Sequence, residues 1–215
     1  MVRTSSTYTE PTVYYEYLYD ISMIARENGI KTSIVSNGYI NQEPFLKLLK
    51  ILDAVKIDLK GFSEKFYKEV CSATLKPVLE SLLTVKKENV WLEIVNLVIP
   101  TLNDDPKMID EMCRWIKENL GAETPIHFTR FLPNYKLMHL YPTAISTLDS
   151  AYEIAKENGL MYVYIGNVPG HIHNSTFCPF CNLKVIHRTH FDVLEMNVVN
   201  GKCKFCNAPI QGKWT

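Results

Sequence analysis

The chain has 215 residues, enough for one main domain and a small appendage. Its 23 basic and 23 acidic residues leave no net charge, which argues against a general binder of nucleic acid or of an anionic membrane. No apolar run reaches the ~20 residues of a membrane-spanning helix, and the segment from Met1 to Glu10 lacks the apolar core of a secretory signal. The six cysteines therefore predict reduced thiols or a metal site in the cytoplasm, rather than disulfides.

Helical and strand-like patterns alternate from Glu10 onward. Helices are predicted over residues 10–28, 42–52, 63–71, 75–88, 104–120 and 146–159, and strands over residues 31–36, 54–59, 90–98, 125–131 and 160–165. This alternation indicates parallel β/α units joined by right-handed crossovers. Five units are too few to close an eight-stranded barrel, so the predicted fold class is α/β, with an open sheet or a partial barrel. The chain begins on a helix with no strand before it, which predicts missing N-terminal material.

Polar residues stand at the predicted strand ends. Because parallel β/α folds gather their chemistry at the carboxyl ends of the strands, these residues predict a small-molecule site. Asn37 is equally well explained as a residue that only forms a turn. Arg130 is equally well explained by a structural ion pair with a carboxylate as by binding of a ligand. Glu93 and Asn96 should lie on opposite faces of their strand. The residues concerned are Ser36, Asn37, Asp58, Lys60, Glu93, Asn96, Arg130 and Asn167.

The last part of the chain contains two Cys-x-x-Cys pairs. Cys178 and Cys181 form the first pair and Cys203 and Cys206 the second, with 21 residues between the pairs. Two such pairs supply four thiolates for a tetrahedral site, for which zinc is the default metal. Rubredoxin-like iron or an auxiliary iron–sulfur cluster remains an alternative. Residues 184–200 alternate as a β-hairpin does, which is typical of a zinc ribbon. The predicted domains are residues 1–170 and 171–215.

Four histidines lie before or between the cysteine pairs in the sequence. Four thiolates fill a zinc shell, so we interpret the histidines as non-ligands. In a weaker alternative, His171 or His173 displaces a cysteine and opens a catalytic zinc site. The histidines concerned are His171, His173, His187 and His190.

Several segments occur in an order that is specific to one family. These are Tyr8-Thr9-Glu10-Pro11, Ser36-Asn37-Gly38-Tyr39-Ile40, Lys56-Ile57-Asp58-Leu59-Lys60-Gly61, residues 97–104 (LVIPTLND), His127-Phe128-Thr129-Arg130-Phe131, residues 164–170 (YIGNVPG), the two cysteine pairs and Gly212-Lys213-Trp214. The chain resembles radical S-adenosylmethionine (SAM) enzymes of the pyruvate formate-lyase activating enzyme-like type, most closely the AmmeMemoRadiSam-system subfamily. The resemblance covers nearly the whole chain.

The resemblance implies a partial β/α barrel with a C-terminal zinc-ribbon-like module. It also implies SAM and a 4Fe–4S cluster, held by Cys-x-x-x-Cys-x-x-Cys, as the source of a 5′-deoxyadenosyl radical that removes a hydrogen atom from a substrate. This sequence has no such cysteine motif. Because Tyr8 to Pro11 matches a motif that follows the family's third strand, about the first third of the domain is expected to be missing. We therefore expect that the chain does not cleave SAM alone and needs the missing segment in trans or in a longer product.

The same resemblance implies roles for particular residues. Glu10 matches the glutamate that helps to hold the SAM amino group, although a carboxylate at a helix start is also stabilising by itself. Ser36 and Asn37 match the position that contacts the ribose or carboxylate of SAM. Asp58 and Lys60 match a position that faces SAM or the substrate.

Two classes of function follow. In the first, the chain is part of an enzyme that acts on a protein or another macromolecule. In the second, it is a non-catalytic scaffold on a relic barrel, whose zinc ribbon binds a partner. A slight positive bias of the ribbon comes from Lys184, His187, Arg188 and His190, but the zero net charge argues against strong binding of nucleic acid.

Overall fold

The structure, a computed structural model, describes residues 3–189 and 192–214. Six parallel strands form one sheet in chain order, with at least one helix between each pair of successive strands. Strands of this kind need helical crossovers, so the predicted α/β fold class is confirmed. The strands are β1 (Arg3–Ser6), β2 (Lys31–Ser36), β3 (Ala54–Asp58), β4 (Trp91–Val98), β5 (Ile126–Arg130) and β6 (Val163–Gly166).

The helices begin where local signals place them. Ser63 accepts a hydrogen bond from the amide of Phe66 at 3.1 Å, and Asp105, followed by Pro106, accepts one from the amide of Lys107 at 2.9 Å. Gly121 follows the last turn of α5 with φ of 95°. The helices are α1 (Tyr15–Glu27), α2 (Gln42–Leu49), α3 (Glu64–Glu69), α4 (Lys76–Lys87), α5 (Pro106–Leu120) and α6 (Ile145–Glu157).

Strand β1 corrects the prediction that the chain begins on a helix. It pairs in parallel with β2, from Arg3 opposite Lys31 to Ser6 opposite Ile34. Its residues are all polar and mostly exposed, so they carry no alternation of apolar side chains. The strand depends on backbone pairing with β2, which does not require any particular pattern of side chains, so the sequence did not predict it.

The chain divides into two compact units, Met1–Val95 and Asn96–Thr215. In the first, Ile34, Ile57 and Ile94 lie on one face of successive strands and are at most 1% exposed. The alternate positions, such as Lys56 and Glu93, are half-buried. One face of these strands therefore builds the core, and the other carries polar chemistry.

The second unit is built on α5, β5, α6 and β6, followed by the C-terminal module. The inner face of α5 includes Cys113, which is completely buried, and burial raises the pKa of its thiol to about 12. Cys113 is therefore a core residue.

The C-terminal module consists of short antiparallel strands. A three-stranded sheet has the order β7-β8-β9, and β10 pairs with β11. The predicted hairpin between the cysteine pairs is thus present as β8 and β9. The strands are β7 (Thr176–Phe177), β8 (Lys184–Thr189), β9 (Asp192–Met196), β10 (Val198–Val199) and β11 (Lys202–Cys203).

The hydrophobic core of the module extends beyond the cysteine segment. Tyr162 is 4% exposed and packs with Cys178, Val185 and Cys203 of the module, and its hydroxyl accepts a hydrogen bond from the amide of Gln211 at 3.0 Å. The domain division at residue 170 remains a prediction. Among the described residues, no helix combines the length and apolar character needed to span a bilayer.

Thr143 closes the segment that follows β5, and its hydroxyl should matter for stability. The side chain is fully buried; its Oγ1 donates to the carbonyl of Val98 at 2.6 Å and accepts from the amide of Phe131 at 2.9 Å. We expect Thr143→Val to lower the free energy of unfolding by about 2 kcal/mol, because a buried amide loses its acceptor. Urea unfolding measures this loss, with Thr147→Val on α6 as control. Equal stability of the two variants would contradict the prediction.

Candidate functional site

The carboxylate of Glu10 joins two segments that are far apart in the sequence. Its Oε1 accepts hydrogen bonds from the hydroxyl of Ser36 at 2.7 Å and from the amide and hydroxyl of Thr12 at 3.2 and 3.1 Å. Its Oε2 accepts from the amide of Asn37 at 2.7 Å. Three donors hold Oε1, whereas Oε2 has one partner among the described residues. Oε2 therefore retains capacity for a further donor, such as an ammonium group.

The turn after β2 presents Ser36 and Asn37 to this carboxylate. Gly38 has φ of 70°, and a Cβ there would lie 3.0 Å from Cγ2 of Ile57, so the turn favours glycine. The side-chain carbonyl of Asn37 accepts from the amide of Tyr39 at 2.8 Å, which is an Asx turn. The amide nitrogen Nδ2 of Asn37 has no hydrogen-bond partner among the described residues and can donate to a ligand.

Asp58 and Lys60 lie at the end of the neighbouring strand. Ser36 is opposite Ile57 in the parallel register of β2 and β3, so Asn37 and Asp58 are the next residues on adjacent strands. Nζ of Lys60 and Oδ2 of Asp58 are 3.1 Å apart, and both side chains are half-exposed. Such a pair contributes less than about 1 kcal/mol to stability, so a ligand can replace either partner at low cost.

A second ion pair on the same strands was not predicted as a pair. Nζ of Lys56 lies 3.4 Å from Oε2 of Glu93, and the indole of Trp91 donates to Oε1 at 3.1 Å. The register places Lys56 opposite Glu93. The sequence signal for this ion pair was the presence of opposite charges, Lys56 and Glu93, on strands predicted to be neighbours. Asn96 is 1% exposed and Glu93 is half-buried, which confirms that they lie on opposite faces.

Arg130 and Asn167, at the ends of β5 and β6, contact one another. Nε of Arg130 donates to the carbonyl of Thr143 at 2.9 Å, rather than to a carboxylate. Nδ2 of Asn167 donates to the carbonyl of Arg130 at 3.2 Å, and Asn167 has φ of 57°. Both side chains therefore hold the backbone at this end of the two strands.

The four late cysteines converge. The sulfurs of Cys178 and Cys206 are 3.6 Å apart, those of Cys181 and Cys203 are 3.7 Å apart, and all four lie within 4.8 Å of one another. Cys178 and Cys203 are buried, whereas Cys206 is exposed. The predicted four-cysteine group is therefore assembled and can hold a metal ion.

Backbone amides and neighbouring sulfurs shift the cysteine pKa values in opposite directions. Burial opposes ionisation of Cys203, but the amides of Cys206 and Phe205 outweigh it and lower its pKa to about 7. The amide of Ala208 lowers the pKa of Cys206, but desolvation and the other sulfurs raise it to about 12. A cation between the sulfurs would remove this conflict, because it stabilises all four thiolates together.

His171, His173 and His187 lie outside this group. Nε2 of His171 is 3.1 Å from Oδ1 of Asp149 on α6, and its Nδ1 accepts from the amide of His173 at 3.2 Å. The ring of His173 stacks on Tyr152 of α6, with centroids 3.6 Å apart. His187 lies on β8, and His190 lies outside the described residues. His171 and His173 thus attach the start of the C-terminal module to α6.

The stack of His173 on Tyr152 should make stability depend on pH. Burial, with His171 and Lys156, lowers the pKa of His173 from its ordinary 6.5, although Asp149 and Glu153 oppose this. The unfolded chain then binds the proton more readily, so stability is lost as pH falls below about 6.5.

We expect His173→Phe, which keeps a ring for the stack, to remove part of this loss. Both proteins should lose stability between about pH 7 and pH 5, but the variant should lose less of its free energy of unfolding. The difference between the two losses should be at most about 1 kcal/mol, because the His173 side chain is only half-buried. Urea unfolding at both pH values measures the difference. Parallel pH dependence of the two proteins would show that the pKa of His173 is the same in the folded and the unfolded chain.

Comparison with known proteins places this geometry in a family. The model of the radical SAM superfamily matches residues 2–116, just over half of the chain. An uncharacterised protein of Methanocaldococcus jannaschii is 49% identical over 208 residues, covering 96% of this chain and 62% of that protein. The (2S)-3-sulfopropanediol dehydratase activating enzyme of Klebsiella oxytoca is 28% identical over 116 residues, which is 53% of this chain and 36% of that enzyme.

A solved structure shows the same fold. A domain of the pyruvate-formate lyase-activating enzyme from Bacteroides vulgatus superposes with a TM-score of 0.67 at 18% identity, over 78% of this chain and 100% of that domain. The chain spans less than two thirds of the length of either sequence relative. These matches confirm the resemblance to radical SAM proteins of the activating-enzyme type. The chain belongs to the radical SAM superfamily.

Proposed function

We propose that this chain provides the SAM-holding part of a radical SAM protein of the activating-enzyme type. The carboxylate of Glu10, held by Ser36 and Asn37 at the end of β2, carries the proposal. Because these donors come from the backbone and a buried hydroxyl, the carboxylate is fixed before a ligand arrives. Its position beside a parallel strand end is where α/β folds bind small molecules.

In this proposal each polar group has a partner on SAM. Oε2 of Glu10 accepts a hydrogen bond from the ammonium group, and Nδ2 of Asn37 donates to the carboxylate or the ribose. Asp58 and Lys60 face the ligand or the substrate, one strand away. SAM supplies the 5′-deoxyadenosyl radical of this superfamily, and the residues above supply only binding and orientation.

Superfamily membership implies an iron–sulfur cluster as well as SAM, but the residues of this chain do not fit that cluster. The sequence has no Cys-x-x-x-Cys-x-x-Cys motif, Cys71 and Cys113 stand alone, and the other four cysteines form the late group. We propose that radical formation depends on cluster ligands outside these 215 residues, supplied in trans or by a longer product.

For the four-cysteine group we propose structural zinc. A tetrahedral ion with zinc–sulfur bonds of about 2.3 Å requires sulfur separations of about 3.8 Å. The separations of 3.6 and 3.7 Å fit one shared ion. A cubane cluster would instead place the four thiolates on four different irons and therefore farther apart. With all six cysteines unpaired, we place the protein in a reducing compartment such as the cytoplasm.

For the substrate we propose a partner protein. The enzymes that the chain resembles are named as activating enzymes of other enzymes, a dehydratase and a lyase among them. A macromolecular substrate requires an accessible contact surface, and the chain exposes several large apolar side chains.

SAM binding and metal content together test the proposal. Equilibrium dialysis with radiolabelled SAM and elemental mass spectrometry are applied to the full chain, which is then reconstituted anaerobically and reduced with dithionite. We expect SAM binding, about one zinc per chain and no 5′-deoxyadenosine. Formation of 5′-deoxyadenosine would show that this chain holds a working cluster. Absence of SAM binding would reject the proposal.

Two exposed aromatic side chains of the C-terminal module favour one alternative function, a non-catalytic scaffold. Phe180 and Phe205, one in each cysteine turn, are 61% and 51% exposed. Such side chains can bind a partner whether or not SAM binds. If the dialysis shows no SAM binding, that result would favour the scaffold function over the proposed enzyme function.

A further inference from the structure

The segment between β5 and α6 is a long loop with a closed base. Residues 131–143 begin and end side by side: the amide of Thr143 donates to the carbonyl of Phe131 at 3.1 Å, and the amide of Phe131 donates to Oγ1 of Thr143 at 2.9 Å. Phe131 and Thr143 are both buried. A surface loop with joined ends of this size is an Ω-loop, a class that is frequently functional.

This loop exposes four large apolar side chains. Tyr135 is 80% exposed, Met138 66%, Tyr141 84% and Leu132 58%. Single exposed apolar residues are ordinary, but four within one short loop favour the binding of a partner. Tyrosine is also enriched among the residues that contribute most to protein interfaces.

Hydrogen bonds within the loop give the tip a defined conformation. Asn134 accepts from the amide of Tyr135 through its side chain at 2.8 Å, and its carbonyl accepts from the amide of Leu137 at 3.0 Å. Residues Tyr135–Leu137 form a 3-10 turn. A loop that is already ordered loses less conformational entropy when it binds, so its apolar area is more effective.

The charged residues within this loop and next to it in the sequence have one sign. No aspartate or glutamate occurs between Glu123 and Asp149, whereas Arg130, Lys136 and His139 lie in that interval. The chain as a whole is neutral, so this stretch is a local exception. Arg130 and Lys136 can attract carboxylates, and His139 can donate a hydrogen bond to one, but two cations are too few to neutralise a row of phosphates.

We propose that the loop of residues 131–143 binds an extended segment of a partner protein in which acidic and apolar residues alternate. The apolar residues of the partner pack on Tyr135, Met138 and Tyr141, and its carboxylates pair with Lys136 and accept a hydrogen bond from His139. The loop follows the carboxyl end of β5, where parallel β/α folds present their ligands. This inference rests on the proposed function, because it identifies the surface that receives the protein substrate.

Fluorescence anisotropy with defined peptides tests this surface. The probe is a short fluorescein-labelled peptide of alternating Asp and Leu, and the comparison probes are a Lys and Leu peptide and a single-stranded oligouridylate. The full chain is compared with Tyr135→Ser/Tyr141→Ser and with Lys136→Glu/His139→Glu. Tyr17→Ser on α1, which replaces a tyrosine that is 66% exposed, is the matched control.

We expect the acidic peptide to bind the native chain and Tyr17→Ser equally. The double tyrosine variant should bind it about tenfold more weakly, and the charge-reversed variant should prefer the Lys and Leu peptide. No binding of the acidic peptide, or binding that neither double variant changes, would overturn the proposal. Tighter binding of the oligouridylate through the same tyrosines would also overturn it, in favour of a nucleic acid.

SAM binding, measured on the same samples, separates the two proposals. It depends on Glu10 and should be equal in all of these variants. If SAM binds while the acidic peptide does not, the inference about the loop fails alone. If the peptide binds while SAM does not, the proposed SAM site fails alone.

Discussion

Replacing Cys178 with serine is expected to abolish metal retention and to unfold the C-terminal module. Cys178 is 1% exposed, and its sulfur lies 3.6 Å from that of Cys206. A structural zinc site contributes an apparent ~10–16 kcal/mol in small zinc domains, as much as the whole stability of an ordinary domain. Loss of one ligand leaves three thiolates close together without a complete shell, so the module should lose most of this contribution.

Metal content and tryptophan fluorescence measure this loss. Trp214 packs against the core of the module, and its indole donates to the carbonyl of Ile210 at 2.6 Å, so its emission reports on the module. The control is Cys71→Ser, which replaces a half-exposed cysteine outside the group and should keep the metal. If Cys178→Ser keeps both its metal and its Trp214 emission, the four-cysteine site is not structural.

The shared core predicts how far the unfolding spreads. Tyr162 and Tyr164 pack with the module, so β6 should lose protection together with β8. Hydrogen exchange of the amides of these strands follows the effect directly. Retained protection in β6 would show that the module unfolds alone.

Replacing Glu10 with glutamine is expected to weaken SAM binding by roughly tenfold to a hundredfold. A hydrogen bond to a charged group contributes ~1.5–3 kcal/mol, and each 1.4 kcal/mol corresponds to a factor of ten. The amide also loses the negative charge that attracts the ammonium group, and it faces the amide of Asn37 with either an acceptor or a competing donor. Both effects reduce affinity through the same side chain.

Isothermal titration of the full chain with SAM measures this effect. The matched control is Glu16→Gln, which removes an exposed carboxylate from the first turn of α1 and should leave the affinity unchanged. Equal affinity of the native chain and Glu10→Gln would mean that Glu10 only caps the turn after it. Equal weakening in both variants would indicate a general effect of net charge.

The order of elements and the four-cysteine group followed from local patterns. Burial on one face of a helix or strand imposes a period on the residues, so β2 to β6 and α1 to α6 were predicted close to their observed bounds. Two Cys-x-x-Cys pairs need only two tight turns to present their sulfurs, so the four-cysteine group was also predictable. Asn41 holds the cap position of α2, but its side chain accepts no capping hydrogen bond.

The sequence by itself therefore determined the α/β class and the residue types at each strand end, because both depend on neighbours along the chain. Only the tertiary structure decided which of those residues meet. Glu10 reaches Ser36 across 26 positions, Tyr162 enters the core of the cysteine module, and all-polar β1 exists by pairing with β2. Hydrogen-bond partners and shared cores depend on which distant segments come into contact in the folded chain. The periodicity of a segment reflects only its own neighbours, so it does not predict these contacts.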